Sequence, residues 1–107
     1  MAAVLRGVCA LRQLARQRGA GSPALSWFVT SVTAAAARLD TMLRDAAEIS
    51  GSGPWVRAAL NVRLDLTDRR LRLERLSRSR DPQLVHREAE ALAAMLEGVV
   101  GSWPVAA

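Results

Sequence analysis

The sequence predicts an all-α protein, an antiparallel three-helix bundle with an amphipathic helix ahead of it. Three observations carry this. The dipeptides Ser22-Pro23, Gly53-Pro54 and Asp81-Pro82 each open a stretch of apolar residues at helical spacing. Opposite charges recur four residues apart within those stretches, where a helix brings them together. No turn signal interrupts residues 55–76. Proline suits the first turn of a helix, where its missing N–H is no loss, and Ser, Gly or Asp suits the position before it.

The first bundle helix is expected over about residues 24–49. Phe28, Val32, Ala35, Leu39, Met42, Ala46 and Ile49 alternate spacings of four and three, which makes one apolar seam. Asp40–Arg44 and Arg44–Glu48 support the outer face. Gly51 suits a left-handed C′ position, and Pro54 cannot continue the helix.

The second helix is expected over about residues 54–79. Val62 to Leu66 alternates like a strand. However, Asp65–Arg69, Asp68–Arg72, Arg70–Glu74 and Glu74–Arg78 all stand at i, i+4, which favours helix. Val62, Leu66, Leu73 and Leu76 form one stripe, and Leu60, Leu64 and Leu71 form another more than about 100° away. Two apolar stripes imply two neighbours, as for the middle helix of a bundle.

The third helix is expected over about residues 82–100, with Val85, Ala89, Leu92, Leu96 and Val99 as its seam and Leu84 and Met95 alongside. Residues 102–107 read as a tail. Arg69, Arg70, Arg72, Arg75, Arg78 and Arg80 crowd the end of the second helix, and the third is net acidic. An antiparallel pairing sets these charges against each other along the rim. Trp27, Trp55 and Trp103 lie near helix ends and are expected to cover the ends of the core.

Charge divides the chain unevenly. The net charge is +5, and all of the excess lies within residues 1–39, which hold five arginines and no acid. The remainder is neutral, which weakens a nucleic-acid reading of the high pI. Within residues 2–18, Val4, Val8, Leu11, Leu14 and Ala15 lie to one side of a helix. Arg6, Arg12, Gln13 and Arg16 lie to the other. A small-residue linker follows, from Gly19 to Ser22. This stretch resembles a mitochondrial targeting presequence, although serine is sparse in it. The resemblance implies import and removal near residues 18–22, which makes residues 1–22 a leader and 23–101 the bundle. The other readings are an extra structural helix in a cytoplasmic protein and a membrane-surface anchor. No transmembrane span is expected, because the charge-free run 19–37 is rich in Ser, Thr and Gly and contains Pro23.

Catalytic chemistry is not proposed by these residues. There is no lysine and no tyrosine, so Schiff-base, P-loop-lysine and tyrosine chemistries are excluded. Cys9 is the one cysteine and His86 the one histidine, neither in a metal-ligand pattern. Cys9 is expected to be a small apolar filler and His86 a solvated helical residue. No cofactor is expected.

The expected function is that of a non-enzymatic helical interaction module: an adaptor, assembly factor or accessory subunit, located in the mitochondrion. Its thin core, poor in aromatics, favours a protein partner or self-association. The expected contact residues are Arg69, Arg70, Arg72, Arg75, Leu60, Leu64 and Leu71. A second reading has the arginine-rich 69–80 segment touch nucleic-acid phosphates, but without interleaved aromatics it offers no base stacking. A third has residues 2–18 hold the protein to a membrane surface.

Overall fold

The structure is a computed structural model that describes residues 1–50 and 53–101. Four helices occur among them: α1 (Ala2–Arg18), α2 (Pro23–Ser50), α3 (Pro54–Ser77) and α4 (Pro82–Gly101). No strand occurs among the described residues, and Val62 to Leu66 is helical. All three proline dipeptides start helices. Asp81 caps α4, its Oδ1 accepting from the backbone N–H groups of Gln83 (3.1 Å) and Leu84 (3.2 Å). Ser22 differs: its buried hydroxyl has no hydrogen-bond partner. Gly53 enters α3 at φ 130°, and Gly19 closes α1 at φ 84°, a region glycine reaches without strain. The Gly51 position lies outside the described residues.

Helices α2, α3 and α4 touch one another pairwise, and α1 packs on α2 and α4 without reaching α3. One core runs through all four. Its largest sealed side chains are Phe28, Leu39, Leu66, Leu73, Leu92 and Leu96, joined by Val8 of α1 and Val32. Burying each such side chain stabilises the fold by roughly 1.5–3 kcal/mol. Ala15, Ala35, Ala36, Ala89 and Ala93 are buried with them. Their small side chains let helix backbones approach closely.

The packing corrects several expectations. The α2 seam is buried from Phe28 to Leu39, but then passes to Leu43, leaving Met42 39% and Ile49 87% exposed. A straight helix turns about 20° per heptad against a strict seven-residue repeat, so a long seam drifts off its neighbour. On α3 only one stripe is buried, centred on Ala59, Leu66 and Leu73. That stripe serves both neighbours, and the Leu60/Leu64/Leu71 stripe touches neither of them as a core element. Trp27 is 52% exposed and covers no core end. The Trp55 side chain and Trp103 lie outside the described residues. His86 is not a fully solvated residue. It is partly buried, edge-on to Phe28 with ring centroids 6.3 Å apart.

Candidate interaction surfaces

The first surface is the outward face of α3. Leu60, Leu64 and Leu71 are 51%, 61% and 47% exposed. The i, i+4 and i, i+7 spacings from Leu64 bring all three to one side of the helix, opposite the buried Leu66 and Leu73. Covering half-exposed leucines contributes about 1 kcal/mol each. Arg72 and Arg75 border this stripe and are exposed. Among the described residues Arg72 meets only Asp68, at 3.8 Å and on its own helix. Arg75, Arg78 and Arg80 have no acid within salt-bridge distance among the described residues.

The seven expected contact residues therefore separate. Leu60, Leu64, Leu71, Arg72 and Arg75 look outward. Arg69 and Arg70 are partly buried and turn toward neighbouring helices. Arg69 Nη1 lies 3.7 Å from Glu88 of α4, beyond direct hydrogen-bond length. Arg70 Nε is buried without a hydrogen-bond partner, beside a groove of about 570 Å³ between α2 and α3. Thr33 lines that groove, but its hydroxyl already donates to the Val29 carbonyl at 2.7 Å. The groove gathers no histidine, cysteine or carboxylate pair.

The second surface is a clasp between α1 and α4, which spacing within one helix does not announce. Glu90 Oε1 accepts from Arg12 Nε at 3.4 Å and from Arg16 Nε. Glu97 Oε1 accepts from Arg12 Nη1 at 3.4 Å and from the Cys9 thiol at 3.1 Å. His86 Nε2 lies 3.6 Å from Glu90. As the α1 numbers rise, their α4 partners fall, so the two helices run in opposite directions. The hydrogen bond from Arg16 holds the Glu90 carboxyl below its usual range, against the opposing effect of burial, and raises the Arg16 pKa. The hydrogen bond to Glu97, then burial, pushes the Cys9 thiol up. Cys9 is thus a partly exposed donor and not an apolar filler.

These contacts also redistribute the expected ion pairs. Two of the α4 acids go to α1, and only Glu88 faces the α3 arginines. Asp40 pairs with Arg63 across the α2–α3 contact at 3.1 Å, not with Arg44. A usable signal was present: Glu90 and Glu97 share one line of α4, and Arg12 and Arg16 share one line of α1.

Among the described residues no group of His, Cys, Asp or Glu is arranged to hold a metal ion. No helix there is long and apolar enough to cross a membrane. No protein-family model, curated protein or solved structure matches the chain. The fold and surfaces define a class: a compact all-helical protein with an outward apolar and basic helix face.

Proposed function

We propose that this chain is a non-enzymatic helical interaction module, an adaptor, assembly factor or accessory subunit that docks a protein partner on the outward face of α3. One observation carries the reading: three leucines stand about half exposed in a single stripe, on a fold whose other leucines are buried or partly buried. Contiguous exposed apolar residues rimmed by charge mark interaction sites. Arg72 and Arg75 at the rim favour an acidic partner surface.

On this reading α2, α3 and α4 form an antiparallel three-helix bundle, supported by the short connections between them. Residues 2–18 support a mitochondrial location through their acid-free amphipathic pattern. The intact mass of the protein from its native cells tests this. Loss of about the first 18–22 residues is expected, by the charge and linker pattern of presequences. A full-length mass from cytosol would overturn it.

The interaction reading is tested by a photo-crosslinking amino acid placed in native cells at position 64 or 71, with position 45 on α2 as control. Protein adducts are expected at 64 and 71 and not at 45. Leu64→Asp placed beside a crosslinker at 71 should abolish them. Absence of protein adducts at both positions sinks the proposal. Nucleic-acid adducts there would favour the phosphate-binding reading instead, with binding that falls steeply as salt rises.

A further inference from the structure

Helix α1 sits apart from the other three in one respect. The remaining helices all touch each other, while α1 lies along the α2–α4 edge alone. Two of its residues, Val8 and Ala15, are sealed there, and Val4, Leu11 and Leu14 are partly buried around them. Its first turn has no acid, and no side chain caps it. An isolated helix of this length is marginal in water, so the edge is what holds it folded.

The edge is chemically matched to its occupant. His86, Glu90, Ala93 and Glu97 follow one another along a single line of α4, with Ala93 only 1% exposed between the two carboxylates. Ala93 is a small sealed residue on that line, and the acids on either side of it take the arginines of α1. On α1, Arg12 follows Leu11 and Arg16 follows Ala15, so each clasped arginine adjoins a residue of the apolar seam. The tether, Gly19 to Ser22, is short and glycine-bearing, and nothing packs within 4 Å of where a Cβ would stand on Gly19 or Gly21.

We infer that the α2–α4 edge is a docking groove for an arginine-bearing amphipathic helix, occupied in cis by α1 in the full-length chain and open to such a helix of a partner protein when α1 lets go or has been removed. Recognition requires two arginines four positions apart, each directly following an apolar seam residue. This is a surface separate from the α3 face, since α1 does not reach α3. The ion pairs of the clasp make occupancy sensitive to salt. The docked helix seals Val8 and Ala15 and engages Arg12 and Arg16, so cis occupancy competes with any receptor that reads this same face of α1.

The probe is a fluorescent peptide of residues 2–18, titrated into the full chain and followed by anisotropy. Arg12→Ala with Arg16→Ala in the chain removes the cis clasp but keeps the groove. This variant should bind the peptide at least about tenfold more tightly than the unaltered chain, because the open fraction sets apparent affinity. Adding Glu90→Arg and Glu97→Arg to the same chain should abolish binding. Exchanging the two arginines for glutamate in the peptide should do the same. Val8→Asp in the chain is a second way to free the groove, with circular dichroism showing that the helices persist. Leu64→Asp should leave peptide binding unchanged, which separates this proposal from the α3 reading. Failure of both loosened chains to bind the peptide overturns the inference, as does binding that survives the Glu90 and Glu97 reversals. Assembly of the loosened chain into dimers through its own α1, with no peptide bound, overturns the commitment to a separate partner.

Discussion

Arg12 and Glu97 stand 85 positions apart in the chain and meet at 3.4 Å. The same guanidinium also reaches Glu90 at 3.4 Å, so one arginine bridges two carboxylates two helical turns apart. In the full-length chain this contact makes the N-terminal helix part of the packed structure. It also makes Glu90 the carboxylate shared by Arg12 and Arg16.

The Glu90 carboxyl is held below its ordinary range in the folded chain. Its stabilising contribution is therefore complete above the unfolded carboxylate range and disappears as pH falls through the lower folded value. Thermal melts of the unaltered chain and Glu90→Gln are expected to differ by a constant amount near neutrality. The gap should close in acid, with the unaltered chain the more stable of the two at neutral pH. A gap that widens in acid would contradict the clasp. High salt should narrow it at every pH, since these groups are part-exposed.

Cys9 should alkylate slowly. Its thiol donates to Glu97, which favours the protonated form, and the thiolate is the reactive species. Iodoacetamide labelling followed by mass spectrometry is expected to be several-fold slower in the folded chain than in denaturant. Glu97→Ala should speed labelling of the folded protein. Equal rates in the two folded chains would show that the thiol does not depend on that carboxylate.

The two leucine stripes of α3 should separate by stability. Leu66→Ala empties a sealed core position and is expected to destabilise by about 2–5 kcal/mol. Leu64→Ala, at 61% exposure, should stay within about 0.5 kcal/mol. Urea unfolding of the two variants checks this directly. A large loss at position 64 would mean that the outward stripe is covered in the free protein.

Much of the fold was legible because its signals are local. Pro23, Pro54 and Pro82 mark helix starts through the geometry of a single residue, and Asp81 caps by reaching its own next turn. The buried register of Leu66, Leu73, Leu92 and Leu96 follows from a 3.6-residue period. Of the candidate contact residues, Leu60, Leu64, Leu71, Arg72 and Arg75 were found on an outward face. Arg69 and Arg70 were not, because a run of arginines gives no indication of which members flank a seam.

By itself, then, the sequence determined four helical segments, where they begin, and which residues share a side of each. Tertiary structure alone decided which side meets a neighbour. Leu64 and Leu66 have the same chemistry two positions apart, and only the placement of α2 and α4 seals one and exposes the other. It alone decided that Glu90 and Glu97 serve Arg12 and Arg16, while the neighbouring Glu88 faces Arg69. The reason is one of range. Helix periodicity and capping act over about four residues. A contact across 85 positions depends on the packing of whole helices, which spacing along the chain does not encode.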